Sequence, residues 1–292
     1  MVSSKFDVVV VGSVVQDLTS YAERFPAPGE SIRGTEFLLG FGGKGANQAV
    51  QASLLGAKSA IVAKVGADSF GKNAVENFTR MGVNCGQNSI VVCLGANLCL
   101  SVDDVRKAES YIENSKVLLC QLEVKPEVSL EALKIAKKHG IMTIFNPAPA
   151  LPGLSEELWK YSDIVCPNEN EAEIITGVNS TTDENAKASL GYFLDRGCEV
   201  AVITLGERGC VFATTSDREV HCVPAPAVKC IDSTGAGDAF AGSLAFYAAC
   251  HGHLPIEEIL RRAIQIASFA VQYQGTQSSY LPKAKIPREL FE

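Results

Sequence analysis

The hydrophobic positions of this chain fall in short uninterrupted runs separated by amphipathic stretches. The first run, "FDVVVVGSVV", is β-branched with no polar alternation, the pattern of a strand buried on both faces of a parallel sheet. The same signal returns in "SAIVAKVG", "KVLLCQLE", "IMTIFNPA", "DIVCPN" and "EVAVITLG". Helical segments such as "NAVENFTRMG" and "SLEALKIAKKHG" separate these runs. Strand–helix alternation of this kind predicts an α/β fold with a doubly wound sheet.

Two stretches break the rhythm. Residues 17–42 carry Pro and Gly turn signals and a strand-like end, so an excursion from the sheet is expected there rather than a crossover helix. After residue 235 the pattern turns almost wholly helical, through "GAGDAFAGSLAFYAAC" and "IEEILRRAIQIASFAVQ". Neither a repeat nor a low-complexity linker interrupts the chain. One α/β domain over residues 1–292 with a small strand-built flap is the expected organisation.

Composition narrows the function. The chain is 47% hydrophobic and 20% charged, which is globular, and its net charge of −7 comes with no Lys/Arg-rich block. Nucleic acid and anionic membrane are therefore poor partners, and a small-molecule partner is expected. The ten cysteines stand singly at 85, 93, 99, 120, 166, 198, 210, 222, 230 and 250, with no CxxC, several inside apolar runs. They read as reduced, buried thiols. The opening "MVSSKFDVVVVGS" has too short an apolar run for a signal segment. The expected location is the cytoplasm, with the nucleus open as a second compartment. None of the four histidines has a partner pattern, so metal or triad roles are not expected of them.

A βαβ chain invites a dinucleotide reading, but strand one is followed by "GSVVQD" and not by G-x-G-x-x-G. A Walker A loop is approached by "GFGGKGAN", yet Lys44 is followed by Gly45, with no hydroxyl ready for magnesium. What remains is "GFGGKGANQA", residues 40–49, where glycines let backbone approach a ligand before a helix begins. By itself this motif is evenly balanced between a flexible turn and a binding site; Lys44 and Asn47 add groups suited to hydroxyls. The second motif, "DSTGAGDAF" at 232–240, carries more. Small residues lead into an apolar helix, so the backbone N–H groups of Gly235, Ala236 and Gly237 can form an anion hole at its positive end. Beside it, Asp238 can accept a proton from an alcohol attacking a phosphoryl group. An isolated Asp at a helix start is more simply a dipole partner; the glycines, Asp232, Ser233 and Thr234 packed into seven residues favour catalysis.

Together "GGKGANQA" and "DSTGAGDAF" resemble the two signature regions of the PfkB carbohydrate kinase family. "TLGERG", "PNENEAE" and "NPAPA" narrow the likeness to its ribose-phosphorylating branch, and the resemblance runs from "VVVVGS" to "GTQSSY". It implies a three-layer α/β/α, mostly parallel sheet with a small β lid that includes residues 17–42. It also implies transfer of the ATP γ-phosphoryl to the 5-hydroxyl of D-ribose, with Mg²⁺ on the nucleotide, a monovalent cation, usually K⁺, as activator, and a homodimer. Asp238 would be the base, with Gly235, Ala236 and Gly237 as the anion hole. Sugar-binding positions would be Val15, Gln16, Asp17, Gly43, Lys44, Gly45, Ala46, Asn47 and Glu123. For Glu123 the strand's C-terminal end also favours function, since such ends face the crevice of these sheets. Asn168 and Glu171 would hold magnesium and phosphate through water, although Glu171 in a first helical turn also suits the dipole. The nucleotide loop would be Thr204, Leu205, Gly206, Glu207, Arg208 and Gly209, together with Gly237. The potassium site would be Asp232, Thr234, Ala270, Tyr273, Gly275 and Ser279, largely through carbonyl oxygens that a hard cation prefers.

The chain departs from that pattern in two places. The family carries a further segment of lid and sheet where Asn84 and Cys85 here run directly into Gly86, so about two strands' worth of chain is missing and the lid is expected to be incomplete. Ile264 stands where these kinases carry Asn or His near the adenine. Two other readings stay open: a kinase of another sugar or a nucleoside, and a lid-deficient, non-catalytic ligand-binding variant.

Overall fold

The apolar runs become strands because their side chains pack against helices on both faces of one sheet. The computed structural model describes residues 5–85, 95–179 and 183–292. β1 (Val8–Val11) leads into a hairpin of β2 (Val15–Tyr21) and β3 (Glu36–Gly42), then α1 (Lys44–Leu54), β4 (Ser59–Val62) and α2 (Ser69–Arg80). The middle of the chain holds α3 (Val102–Lys107), α4 (Glu109–Glu113), β5 (Val117–Cys120), α5 (Pro126–Lys138), β6 (Met142–Phe145) and α6 (Glu157–Lys160). There follow β7 (Ile164–Val165), α7 (Glu169–Thr176), α8 (Asp183–Leu194), β8 (Val200–Thr204), β9 (Cys210–Thr214), β10 (His221–Val223), α9 (Ala236–Cys250) and α10 (Ile256–Ala270).

Eight strands form one sheet in the order β10-β9-β8-β7-β6-β5-β1-β4. The pairs from β4 through β8 are parallel, whereas β9 and β10 pair antiparallel at one edge. That edge is a refinement of the expected sheet: its short strands follow "EVAVITLG" by tight turns rather than crossover helices. Alternate residues of β1 enter opposite cores. Val8 and Val10 pack with Val50, Leu244 and Leu260, while Val9 and Val11 pack with Val128, Leu133 and Phe193. Both faces of the strand are dry, which explains its lack of polar alternation.

Strand order decides where a ligand fits. The chain passes from β1 to β4 on one side and then returns to β5 on the other, so the winding reverses between β1 and β5. A crevice opens at the carboxyl ends of two strands at such a switch point.

The excursion over 17–42 is the β2–β3 hairpin, a separate antiparallel sheet; among the described residues it has these two strands alone. Leu18 lies opposite Leu39 and Ser20 opposite Phe37 on one face, while Asp17 lies opposite Gly40 on the other. The leucine face is bare: Leu18 is 55% exposed, and Phe37 and Leu39 are each 58% exposed. The apolar run of "GQNSIVVCLGAN" falls at 86–94, outside the described residues, and Ala96–Cys99 after it form a 3-10 turn. Helix ends at Ala270; short 3-10 turns follow.

All nine described cysteines are free. Cys120, Cys166, Cys198 and Cys210 are buried as expected, but Cys99, Cys222 and Cys230 are exposed, because they lie on short turns and at the sheet edge; Cys93 is outside the described residues. Among the described residues no helix is long and apolar enough to cross a membrane.

Leu119, fully buried on the central strand β5, tests the two-faced core. Leu119→Ala is expected to lower unfolding free energy by about 2–5 kcal/mol in urea titrations, against less than about 0.5 kcal/mol for Ile174→Thr at an exposed position of α7.

Candidate active site

The crevice is closed at its base by a carboxylate. Beyond β1, Ser13 Oγ donates to Glu123 Oε2 at 2.5 Å, and the backbone N–H of Lys44, the first residue of α1, donates to the same oxygen at 2.7 Å. Glu123 thus ties together the ends of β1 and β5 and the start of α1. The backbones here touch. A Cβ on Gly45 would lie 2.5 Å from Ser13 N and 2.7 Å from Gly12 C, so only glycine lets α1 start against β1. This glycine-rich stretch is close-packed against the end of β1.

The predicted sugar-binding residues do not all meet. Asp17, half-buried, has its carboxyl raised by burial and then by the nearby Glu123 charge. Asp17, Lys44, Asn47 and Glu123 gather at the crevice with Gly43, the N-cap of α1. Gln16 is corrected. Strand alternation puts it on the face opposite Asp17, and its amide donates across the hairpin to the Gly40 carbonyl. Ala46 is corrected too: at 1% exposure it packs in the core between α1 and the sheet. Val15, paired with Gly42 on the Asp17 face, is partly exposed.

Asp238 lies where α9 meets α1. It is 6% exposed and does not cap its own helix. Instead Oδ2 accepts from Asn47 Nδ2 and Oδ1 from Gln48 Nε2, both at 2.9 Å. Burial raises its pKa; the Lys44 charge and these two amides pull it back, and Glu123 adds to the rise. The dipole-partner explanation fails, since the carboxylate is satisfied by another helix. Gly235 caps α9 with φ of 78°, a conformation that favours glycine, and its carbonyl accepts from Tyr280 Oη at 3.0 Å. Fewer of the N–H groups expected to form an anion hole are free than the sequence implies. Ala236 N–H already donates to the Ser233 carbonyl at 3.2 Å, which leaves Gly235 and Gly237 N–H without acceptors among the described residues.

Beyond the α9 N-terminus opens a cavity of about 770 Å³. Thr204, Gly206, Glu207, Arg208, Gly209, Ser233 and Gly237 line its polar part, and Val228, Phe240, Ile264 and Ala267 its apolar part. Leu205 is corrected: its side chain packs against the core on the sheet's other face. Asn168 and Glu171 form a reciprocal cap on α7, each accepting at 2.8 Å from the other's N–H. Burial raises the Glu171 carboxyl, against the pull of the Asn168 N–H and the Lys44 charge. Glu171 is therefore both a helix cap and a charge in the site.

Asp232 joins two loops, its oxygens accepting from Thr234 N and Gly275 N, each at 2.9 Å. The Thr234 side chain, followed by the Gly275 and Thr234 N–H groups, holds its carboxyl below the usual range. Ala270, Tyr273 and Ser279 border the same loop, where the Ala270 carbonyl accepts from Tyr273 N at 3.1 Å. This oxygen-rich set suits a hard monovalent cation, and no cluster of three or more His, Cys, Asp or Glu forms a metal site among the described residues.

Four participants escaped the sequence reading: Ser13, Gln48, Gln277 and Tyr280. Gln48 carried a signal, being a glutamine that helical spacing places toward the core. Nothing local marks the other three, because their partners lie more than 40 residues away.

The model of the pfkB family of carbohydrate kinases matches residues 5–284. The chain is 47% identical to the ribokinase of Mus musculus, over 97% of its own length and 94% of that protein's. That alignment runs to 305 positions, more than the 292 residues here, so at least 13 have no counterpart in this chain. It is also 37% identical to the deoxyribokinase of Salmonella typhi, over 94% and 95% of the two chains. A solved structure of Arabidopsis thaliana ribokinase, complexed with ribose and ATP, superposes with a TM-score of 0.84 at 28% identity, covering 98% of each chain.

The contact at Gly45 is open to test. Gly45→Ala, with its methyl against backbone that cannot move aside, is expected to cost at least about 1–3 kcal/mol of stability, read from the shift in urea midpoint.

Proposed function

Because the chain belongs to the pfkB family of carbohydrate kinases, we propose that it transfers the γ-phosphoryl group of ATP to the 5-hydroxyl of D-ribose, giving D-ribose 5-phosphate and ADP. One observation carries the reading: Asp238, buried and doubly hydrogen-bonded, stands at a helix N-terminus between the polar crevice and the 770 Å³ cavity.

The crevice residues Asp17, Lys44, Asn47 and Glu123 hold the sugar hydroxyls. The 5-hydroxyl gives its proton to Asp238 as its oxygen bonds to the γ-phosphorus; the bond to the β-bridging oxygen breaks, and ADP leaves with that electron pair. The N–H groups of Gly235 and Gly237 meet the charge on the phosphoryl oxygens. Catalysis is mostly positioning and electrostatics. Bound with ATP, magnesium supplies neutralisation of phosphate charge; Glu171, with one oxygen engaged by the Asn168 N–H, has a second for magnesium-bound water. Potassium fits the Asp232–Gly275 loops and their carbonyls, where it would stiffen the approach to the anion hole.

The bare hairpin face of Leu18, Phe37 and Leu39 supports a second copy of the chain as protein partner. The exposed free thiols support a reducing compartment, the cytoplasm. A second reading, a ligand-binding chain with little turnover, is favoured by the positions missing against the mouse relative.

The deciding experiment is ribose-dependent ADP formation with Mg²⁺ and either K⁺ or Na⁺. Turnover stimulated by K⁺ is expected, while silence from folded protein would favour the second reading. Asp238→Asn should lose about 10²–10⁴-fold in kcat with an unchanged Tm, and undiminished turnover would remove Asp238 as the base. Since the base acts when ionised and burial raises its pKa, kcat/KM should fall on acidification at a pH above that of an ordinary aspartate. Sedimentation velocity should show a dimer that Leu39→Lys disperses.

A further inference from the structure

Each oxygen of Asp238 faces an amide nitrogen, although an amide can present oxygen just as well. The amides that do this, Asn47 and Gln48, are the inner ends of two buried chains. Along the first, Asn47 Oδ1 accepts from Gln277 Nε2 at 3.0 Å, Gln277 Oε1 from Asn77 Nδ2 at 2.8 Å, and Asn77 Oδ1 from Arg80 Nη2 at 2.7 Å. Along the second, Gln48 Nε2 also donates to Asn146 Oδ1 at 3.1 Å, and Asn146 Nδ2 donates to the Cys166 carbonyl at 2.8 Å. Gln48 Oε1 accepts from Gln121 Nε2 at 2.6 Å.

The outer ends have only one hydrogen-bonding sense. A guanidinium donates and cannot accept; a carbonyl accepts and cannot donate. Arg80 therefore turns the oxygen of Asn77 outward and its nitrogen inward, and that sense passes through Gln277 to Asn47. The Cys166 carbonyl imposes the same result through Asn146 on Gln48. Asn47, Gln48, Asn77, Asn146 and Gln277 are each no more than 8% exposed, so reversing one leaves buried polar atoms facing like atoms.

We infer that the two chains are a polarity lock on the base: Arg80 and the Cys166 carbonyl force an N–H onto each oxygen of Asp238, and Asn77, Gln277, Asn146 and Gln48 are positioning residues that hold its carboxylate charged and in one orientation. This rests on Asp238 being the base of the proposed reaction. The charged or titratable groups facing Asp238 from neighbouring elements are Lys44 on α1, Glu123 beyond β5, Glu171 on α7 and Tyr280.

Asn77, three hydrogen bonds from Asp238, allows the lock to be reversed without touching the site. Asn77→Asp keeps the shape and the acceptor for Arg80, whose charge neutralises it, but turns an acceptor toward Gln277. Gln277 must then present its nitrogen outward and its oxygen to Asn47, whose own oxygen comes to face Asp238. Asn77→Leu releases the chain without inverting it. Losing a donor to the ionised form raises a pKa, so the Asp238 carboxyl, followed by ¹³C NMR titration of the ligand-free chain, should titrate about one pH unit higher in Asn77→Asp and by less in Asn77→Leu. With ribose and ATP, kcat should fall about tenfold in Asn77→Asp and less in Asn77→Leu.

A role in packing alone predicts the opposite order, since leucine changes the shape more. Gln48→Met, which removes the Oδ1 donor directly, should raise the same titration and serves if the Asn77 variants do not fold by circular dichroism. An Asp238 titration unchanged in the folded variants overturns the lock whatever the substrate. A wild-type chain silent on ribose overturns the substrate instead, and the titration still decides the lock.

Discussion

To act as the proposed base, Asp238, a carboxylate that is 6% exposed, has to stay charged, and the groups around it bear on that requirement. Desolvation favours the neutral acid, which could not take a proton from an alcohol. Lys44 and the amides of Asn47 and Gln48 act against it. None is individually large. Together they offset part of the cost of burial, which still leaves the pKa raised, and a dry site strengthens each of them. The same burial that threatens the charge makes the charge useful.

The fold provides the place where such an arrangement can be built. Winding reverses between β1 and β5, so Ser13 and Glu123 emerge side by side at one crevice, and α1 begins against them. Helix α1 serves two purposes through adjacent turns: its first N–H binds Glu123, and its next residues reach Asp238. The groups proposed to face the sugar and to hold the base are therefore set by one element, and Gly45 lets that element lie directly on β1. Precision comes from backbone contact, which no side-chain rearrangement can loosen.

The hairpin over the crevice has a different character. Its inner face carries Asp17, its outer face Leu18, Phe37 and Leu39, and among the described residues it has two strands. A two-stranded sheet is marginal alone. It is held instead near both ends of its strands: Thr276 Oγ1 donates to the Phe41 carbonyl at 2.8 Å and Gln274 Nε2 to Tyr21 Oη at 2.9 Å. The loop that carries Gly275 and Gln277 thus touches the hairpin, Asp232 and Asn47 together. The hairpin, the Asp232 loop and Asn47 are joined through one short segment.

Much of this was legible in the chain. Uninterrupted β-branched runs suit strands with two dry faces, since branched side chains favour extended backbone and nothing polar needs water on either side. A glycine-rich helix entrance ending in Asp238 leaves the backbone of the helix start uncovered by side chains, because side-chain size is a local property. The antiparallel β9–β10 edge, the outward turn of Gln16, the burial of Ala46 and Leu205, and the engaged N–H of Ala236 were not legible. Each depends on which neighbour a residue meets after the sheet is wound. The amides around Asp238 show the division most clearly. Asn47 and Gln48 stand in the sequence as ordinary polar residues, and their hydrogen-bonding sense is set by Arg80 and the Cys166 carbonyl, which only the folded chain brings to the ends of those contacts. Sequence determines the groups available and their local geometry; tertiary structure decides their polarity, because an amide has no direction until its partners are in place.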